Sequence, residues 1–213
     1  MRDLTAIVVT GGAAVPASVR DDLPDSAWVV AADSGLEHAR RIGLPVDVVV
    51  GDLDSVPERI LEGFSGPVEH HPADKDHTDL QLALELVARH GHIDRLIVVG
   101  GGGGRLDHLL GNVAVLAAPA YAHLRVEWLT GAERVHVVWD HVELHGHAGD
   151  VVSLMAIGGP ALGVTTEGLQ WPLRGARLDP STSLGMSNVM QGAIATVNVG
   201  EGRLLTIQPD PES

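Results

Sequence analysis

The most constraining feature of this sequence is the run of residues 46–50, apolar except for Asp47, which leads into Gly51, Asp52 and Asp54. An apolar run of this length that stops at a glycine is typical of a buried parallel strand. The two carboxylates then follow the carboxyl end of that strand, where open α/β sheets bind their ligands. Two aspartates at this spacing can direct oxygens at one hard cation such as Mg²⁺.

Carboxylates recur at two other predicted junctions between elements. Asp33 follows the apolar run of residues 28–32, and Asp79 begins a predicted helix after the acidic segment that surrounds Lys75. Each aspartate alone is typical of a turn or a helix cap. Like charges that are brought together are costly unless a cation neutralises them. The recurrence therefore predicts a shared divalent metal site, with Lys75 as either a phosphate ligand or a member of a surface ion pair.

Three predicted helices begin close to these carboxylates. Ser34, Ser55 and Thr78 each stand three residues before a Glu or Gln, which is the spacing of a capping box. Helix N-termini carry partial positive charge and free N–H groups, and these suit phosphate as well as carboxylate.

A run of glycines, residues 100–104, follows another predicted buried strand and precedes Arg105, Asp107 and a predicted helix over residues 109–118. Strand, glycines and helix in this order are typical of phosphate-binding loops. The loop is not a Walker A motif, because it lacks Gly-Lys-Ser/Thr. It is not a dinucleotide fingerprint either, because Arg105 stands where the last glycine is needed. We interpret it as a nucleotide-binding loop rather than a flexible connector.

Composition limits the remaining classes of function. A formal net charge of −14 over 213 residues argues against nucleic acid or an anionic membrane as partner. The absence of cysteine excludes disulfides, cysteine–zinc sites and thiol nucleophiles. The amino terminus has no apolar export segment and no run reaches transmembrane length, so we expect a cytoplasmic location.

From about residue 134 the pattern changes to short alternating strands without helices between them, which predicts a second, antiparallel domain. The sequence thus predicts an α/β protein with an N-terminal parallel-sheet, Rossmann-like domain (1–133) and a C-terminal β-sandwich or barrel-like domain (134–213). Gly200 and Glu201 predict a tight hairpin between the last two strands. His141, His145 and His147 are interpreted as solvated side chains of a polar hairpin. The predicted strands are 135–139, 150–157, 163–169, 193–199 and 204–208.

Trp171 lies between Gly168 and Pro172 in this second domain, outside the regular strand pattern. Its indole could stack on a planar cationic ring or anchor its own loop. Ser187 and Asn188 end another polar loop.

In combination, these segments resemble the thiamine pyrophosphokinase (thiamine diphosphokinase) family over nearly the whole chain. The resemblance implies transfer of the diphosphoryl group of ATP to the hydroxyl of thiamine, which gives thiamine diphosphate and AMP. It also implies a homodimer whose thiamine sites lie between the α/β domain of one subunit and the β domain of the other. The matching segments are Asp33–Gly35, Gly51–Ser55, Asp76–Asp79, Gly104–His108, Gly168–Leu173 and Ser187–Asn188.

The resemblance also implies a role for each matching residue. Asp33, Asp52, Asp54 and Asp79 correspond to the Mg²⁺-associated acidic set. The catalytic set is Asp52, Asp54, Asp79 and Arg105. ATP is assigned to Lys75, Thr78, Gly104, Arg105 and Asp107, and thiamine to Trp171, Ser187 and Asn188. Which aspartate accepts the alcohol proton stays open.

The same residues also fit three other classes of protein. Asp52 and Asp54 also fit the Asp-x-Asp pattern of haloacid-dehalogenase-type phosphohydrolases, with Asp52 as nucleophile. That reading leaves the glycine loop and the second domain unexplained. A diphosphokinase acting on a pterin alcohol would use the same metal chemistry, and a non-catalytic nucleotide-sensing module would use only the binding site.

Overall fold

The structure is a computed structural model that describes residues 4–53, 56, 61, 63–72, 74 and 76–209. The predictions for Asp54, Ser55 and Lys75 lie outside these residues. No helix in the described ranges is long and apolar enough to cross a membrane. The cytoplasmic location stays a prediction.

Two compact units make up the chain. The first comprises Met1–Val115 and Trp128–Gly131, and the second comprises Leu116–Glu127 and Ala132–Ser213. The division passes through one strand, β6 (Arg125–Leu129), which contributes its last residues to the first unit.

In the first unit, parallel strands alternate with helices. β1 pairs with β2 on one side and with β5 on the other, and β2, β3 and β4 continue outward in parallel. The strands are β1 (Leu4–Val9), β2 (Trp28–Ala32), β3 (Val48–Gly51), β4 (Val68–His70) and β5 (Ile93–Val99). The helices are α1 (Gly35–Arg41), α2 (Asp79–His90) and α3 (Leu106–Leu116).

The central strands of this unit are apolar along their length because both faces are covered. Ile7 and Val9 of β1 pack with Ile97 and Val99 of β5 in one core cluster. Ala31 and Val49 belong to a second cluster. This is the pattern expected of parallel strands buried on both sides. The strand predicted over residues 28–32 is confirmed.

The predicted capping boxes have different outcomes. The Thr78 hydroxyl accepts a hydrogen bond from the backbone N–H of Gln81 at 3.3 Å, which confirms Thr78 as the cap of α2. The capping-box prediction for Ser34 is wrong. Ser34 has helical backbone angles and makes no side-chain cap bond, because its hydroxyl lies against Gly11 in the loop after β1.

Strands β7 to β14 of the second unit pair in antiparallel fashion and form two arrays. One array has the order β12-β9-β14-β7, and the other has the order β11-β10-β13-β8. The strands are β7 (Glu133–Val138), β8 (His141–His145), β9 (Val151–Ala156), β10 (Ala161–Glu167), β11 (Ala176–Leu178), β12 (Asn188–Val189), β13 (Ile194–Asn198) and β14 (Leu204–Pro209).

The inward-facing side chains of both arrays form one apolar cluster. β9 contributes Val152 and Leu154 at every second position, and β13 contributes Ala195 and Val197 in the same way. This alternation is what half-buried antiparallel strands require.

The predicted hairpin at Gly200 and Glu201 is wrong. β13 pairs with β8 and β10, whereas β14 pairs with β7 and β9, so the two strands lie in different arrays. The backbone of Gly200 and Glu201 bonds to Leu162 instead. The strand pattern on both sides is correct, but local spacing does not say which array each strand joins.

His141, His145 and His147 are exposed, in agreement with the interpretation of solvated side chains in a polar hairpin. Residues 141–145 nevertheless form strand β8, which was not among the predicted strands. Its alternation is weak because Leu144 is the single fully buried side chain among exposed and half-buried neighbours.

The described chain is a mixed α/β fold, with one large sheet that contains parallel and antiparallel strands and a smaller antiparallel sheet.

Candidate active site

The strand order of the first unit changes direction beside β1. The chain passes from β1 to β2, β3 and β4 on one side, whereas β5 is added on the other side. Loops that leave neighbouring parallel strands at such a point separate and form a crevice, which is the usual ligand site of open α/β sheets. The glycine loop after β5 and the loop after β1 both begin at this point.

The backbones of these two loops are joined directly. Gly101 N–H donates to the Gly11 carbonyl at 2.6 Å, and Ala13 N–H donates to the Gly102 carbonyl at 2.9 Å. Gly100 has φ +90°, and a Cβ there would lie 2.4 Å from the Thr10 carbonyl oxygen. Only glycine satisfies both the backbone angle and the close approach. The glycine run therefore packs against the first loop instead of forming a free connector.

Two side chains that the sequence analysis did not identify fasten this loop. The Trp128 indole N–H donates to the Gly100 carbonyl at 2.6 Å, and the Asn112 side-chain amide donates to the Gly101 carbonyl at 3.1 Å. Trp128 is 3% exposed, so its bond lies in the interior. An apolar pattern marks Trp128 only as a core residue, and no local signal connects it with a loop 28 positions earlier.

Arg105 and Asp107 form a bidentate ion pair just beyond the glycines. Arg105 Nε lies 3.1 Å from one Asp107 oxygen and Arg105 Nη2 lies 2.5 Å from the other. These hydrogen bonds lower the pKa of the Asp107 carboxyl and raise the pKa of Arg105. Both side chains are exposed, so the guanidinium is available to exchange this carboxylate for a phosphate.

Two of the predicted acidic residues meet at Gly51. A Cβ at Gly51 would lie 3.0 Å from Asp79 Oδ1 and 3.2 Å from Asp33 Cβ. Asp33 is 8% exposed, and its N–H donates to the Val50 carbonyl at 2.8 Å. Asp52 follows Gly51 directly and is half-buried. The structure thus brings Asp33 and Asp79, from different elements, to the end of β3 where Asp52 begins the next loop.

Among the described residues, four non-glycine residues have positive φ, and two of them adjoin the acidic site: Asp33 at 48° and Leu53 at 65°. The other two are His92 at 61°, just before β5, and Ser187 at 52°, next to Asn188. L-residues adopt such angles at an energetic cost and do so disproportionately at functional sites.

Gly51→Ala is expected to reduce catalytic activity at least about tenfold, because the added methyl group must displace the Asp79 carboxylate and strain the φ of +146°. We expect about 1–2 kcal/mol lower stability as well. Gly149→Ala is the matched control, since Gly149 also has positive φ (+101°) and a Cβ there would meet nothing within 4 Å. Thermal unfolding and turnover of both variants distinguish displacement of a carboxylate from backbone strain alone. Equal loss of activity in the two variants would contradict the placement of Gly51.

The donor chemistry of this site fits Mg²⁺. In the part of the chain that the structure describes, no group of three or more His, Asp or Glu side chains has metal-binding geometry. Asp54, the fourth member of the predicted set, lies outside that part. Asp33 and Asp79 both lie beside Gly51, and carboxylate oxygens are the protein ligands that Mg²⁺ prefers. These residues are therefore suited to hold the ion.

The second unit carries a separate cluster around Trp171. This side chain is 56% exposed, although tryptophan is usually largely buried. The adjoining Asn188 is 3% exposed and bonds to the main chain of Trp171. Ser187 is exposed and its N–H donates to the Ser153 hydroxyl at 3.0 Å. The three residues predicted to contact thiamine are therefore neighbours.

Comparison with known protein families gives two matches that follow the chain in order. Residues 20–128, more than half of the chain, match the catalytic domain of thiamin pyrophosphokinase. Residues 141–204 match the vitamin B1 binding domain of the same enzyme. The chain belongs to the thiamine pyrophosphokinase family. The family resemblance predicted from the sequence is confirmed.

Individual relatives within the thiamine pyrophosphokinase family agree with this assignment. Thiamine pyrophosphokinase 2 of Arabidopsis thaliana is 29% identical over 175 residues, which cover 76% of this chain and 64% of the relative. The enzyme of Bacillus subtilis (strain 168) is 24% identical over 189 residues, or 86% of this chain and 84% of the relative. The chain spans only about two thirds of the length of the plant relatives that it matches.

Solved structures of the family have the same fold. The crystal structure of thiamin pyrophosphokinase from Geobacillus thermodenitrificans superposes with a TM-score of 0.83 at 26% identity, and 99% of each chain is covered. Thiamine pyrophosphokinase from Bacillus subtilis gives a TM-score of 0.84 at 21% identity, with 96% of this chain and 98% of the other covered. The latter likeness bears on the fold alone.

Proposed function

We propose that this protein is a Mg²⁺-dependent thiamine diphosphokinase, an ATP-binding transferase of thiamine diphosphate biosynthesis. The observation that carries the proposal is the pair of family matches, which assign a catalytic and a vitamin B1 binding region to successive parts of one chain. Residues 1–133 are proposed as the Rossmann-like catalytic domain. Residues 134–213 are proposed as the sandwich-like domain that binds thiamine and forms the dimer.

The proposed reaction forms a bond between the hydroxyl oxygen of thiamine and the β-phosphorus of ATP. The bond between that phosphorus and the oxygen bridging to the α-phosphate breaks, and AMP leaves with that oxygen. The hydroxyl proton passes to an aspartate of the acidic set late in the reaction. Because such transfers need mainly positioning and charge stabilisation, the protein contributes geometry and cations.

The acidic site at Gly51 is proposed to hold the metal through Asp33, Asp52, Asp54 and Asp79. Mg²⁺ bound there would neutralise phosphate charge and polarise the phosphorus that is attacked. The Asp79 carboxylate, whose Oδ1 lies 3.0 Å from where a Cβ on Gly51 would be, and the neighbouring Asp33 would keep this charge at the carboxyl edge of β3. A metal ion also explains how a chain of net charge −14 can accept ATP.

ATP is proposed to lie against the glycine loop. The loop ends at Gly104, and the start of α3 places Arg105 and Asp107 directly after it. Thr78 caps α2 beside Asp79. Lys75, which lies outside the described residues, is proposed as a further phosphate ligand. The N-termini of α2 and α3 add partial positive charge.

Arg105→Ala is expected to raise the KM for ATP or slow the transfer about tenfold or more, while thiamine affinity stays unchanged. The substitution removes the guanidinium that is proposed to release Asp107 and bind a phosphate group of ATP. Steady-state kinetics and calorimetric binding of each ligand provide the measurement.

The chain offers a matched control for this variant. Arg177 and Asp179 form the same bidentate pair with the same spacing, at 2.9 and 2.6 Å, on the exposed surface of the second unit. Arg177→Ala should therefore leave ATP kinetics unchanged. Equal losses of affinity for ATP and thiamine in Arg105→Ala would indicate a collapsed loop and contradict a direct phosphate contact.

A homodimer with shared active sites is part of the proposal. Helix α3 begins next to Arg105, and its Leu106 and Leu110 are 67% and 59% exposed. Exposed leucines on one helix are typical of a surface that binds another protein. Thiamine is proposed to bind at the surface formed by Ser187, Asn188 and Trp171 of the partner subunit.

The experiment that tests the function is product analysis. The protein is incubated with ATP, Mg²⁺ and, in separate reactions, thiamine, a pterin alcohol or phosphate esters. We expect AMP release that depends on thiamine. AMP release with the pterin alcohol alone, phosphate release from esters, or ATP binding without turnover would support the pterin kinase, the phosphohydrolase or the sensing module instead. The family matches support none of these three alternatives.

A further inference from the structure

Asn188 makes three hydrogen bonds that connect the loop carrying Trp171 to strand β12. Trp171 N–H donates to Asn188 Oδ1 at 3.1 Å, and the Asn188 side-chain amide donates to the Trp171 carbonyl at 2.8 Å. The same Oδ1 also accepts the N–H of Val189 at 2.9 Å. One asparagine therefore satisfies both main-chain polar groups of Trp171 and connects them to strand β12.

Additional bonds fix both sides of the loop. Gln170 N–H donates to the Val189 carbonyl, and Gln191 N–H donates to the Gly168 carbonyl, each at 2.8 Å. At the far end, the Leu173 N–H donates to the Thr166 hydroxyl at 2.9 Å. The backbone around Trp171 is thus fastened on both sides, whereas the indole itself is 56% exposed.

This combination indicates what the Asn188 side chain can and cannot do. Its oxygen already accepts two N–H groups and its nitrogen donates to a carbonyl, while the residue is 3% exposed. An amide has two acceptor positions and two donor hydrogens, so a single N–H is left for any further partner. Asn188 is consequently poorly suited to be a principal ligand of a bound ring.

We propose that Asn188 is a positioning residue, which promotes thiamine binding by fixing the main chain of Trp171 and thereby holding the exposed indole ready to stack. A side chain that is fixed before binding loses less conformational entropy when the ligand arrives. A cation–π contact also depends on the position of the ring over the cation. This inference rests on the proposed function for the identity of the ligand, but the fixed loop is a property of the free protein.

A double-mutant cycle tests the assignment. Asn188→Asp keeps the acceptor oxygen but replaces the donor to the Trp171 carbonyl with a second oxygen, so we expect thiamine affinity to fall roughly tenfold and ATP affinity to stay unchanged. If Asn188 acts only through the indole, the same substitution in a Trp171→Ala background should change thiamine affinity by less than about twofold. Additive losses in the double variant would show direct contact with thiamine and overturn the proposal.

Two further variants make the cycle decisive. Asn198→Asp is the matched control, because Asn198 lies on β13 of the same unit, is exposed and bonds to the His141 imidazole at 2.9 Å. It should leave both affinities unchanged. If Asn188→Asp does not fold, Thr166→Val replaces it in the cycle. It removes the hydroxyl that accepts the Leu173 N–H but keeps the main-chain bond from Thr166 N–H to the Leu173 carbonyl, so it loosens the far end of the same loop and should again act only when the indole is present.

Hydrogen exchange of the free protein separates this inference from the proposed function. Amides of residues 168–173 should exchange faster in Asn188→Asp than in wild type or Asn198→Asp, at a similar unfolding temperature. Unchanged exchange in these amides would overturn the positioning role. A wild-type protein that shows the protected loop but does not bind thiamine would instead refute the proposed substrate.

Discussion

Asp52→Asn and Asp79→Asn are each expected to lower thiamine-dependent AMP release by about a hundredfold or more, with the fold retained. Each substitution removes a charged oxygen from the carboxyl edge of β3. There, Asp79 Oδ1 lies 3.0 Å from where a Cβ added to Gly51 would be. Neither residue belongs to the apolar core. Asp54→Asn, outside the described residues, is expected to behave like Asp52→Asn.

Steady-state turnover at several Mg²⁺ concentrations, together with circular dichroism, measures this effect. A raised Mg²⁺ requirement in the variants would identify the loss as one of metal binding. Asp25→Asn is the control, because Asp25 is fully exposed and its ion-pair contact with Arg20 is 3.5 Å long. Near-normal turnover in the Asp52 and Asp79 variants would remove the acidic site from the mechanism.

Trp171→Ala is expected to weaken thiamine binding by about 1–3 kcal/mol through loss of stacking on a cationic ring, with ATP binding nearly unchanged. The indole is 56% exposed in the free chain, so its removal should cost little stability. A tryptophan that only anchors its own loop would give the reverse result. Calorimetric titration of both ligands and thermal unfolding distinguish the two roles.

Mixing two impaired variants at a low thiamine concentration tests whether the site is shared between subunits. A heterodimer of Trp171→Ala and Asp52→Asn subunits would have one intact site and one doubly damaged site if Trp171 acts on the partner subunit's acidic site. Activity above that of either parent should then appear after subunit exchange. Heterodimers that are verified by mass and show no such gain would contradict action across the dimer and leave Trp171 in its own subunit's site or in none.

Sequence reasoning was most successful where local chemistry and chain order carry the information. Apolar runs that end in Gly51 or at Asp33 predicted buried parallel strands, and the structure has strands there. Parallel strands have their carboxyl ends at one edge, so the polar residues that follow them are brought together by topology alone. Asp33, after β2, and Asp52, after β3, reach one edge of the sheet by that rule, whereas Asp79 joins them as the first residue of α2.

Local pattern was insufficient where a choice between partners had to be made. Ser34 has the spacing of a helix cap, but its hydroxyl packs against Gly11, which is a contact between two loops. Gly200 and Glu201 resemble a hairpin turn, but the strands on either side join different arrays. Spacing along the chain does not indicate which distant loop a side chain will contact or which strands a given strand will pair with.

By itself, the sequence determined the family, the alternation of strands and helices before residue 134, and the residue types available for binding Mg²⁺ and phosphate. These properties depend on composition and order along the chain, which folding does not change. Only the tertiary structure decided which partners these side chains have. Arg105 pairs with Asp107, Trp128 and Asn112 donate hydrogen bonds to the glycine loop, and Asn188 bonds to the main chain of Trp171. Hydrogen bonds and ion pairs depend on distances of about 3 Å, and those distances exist only after the chain has brought its segments together.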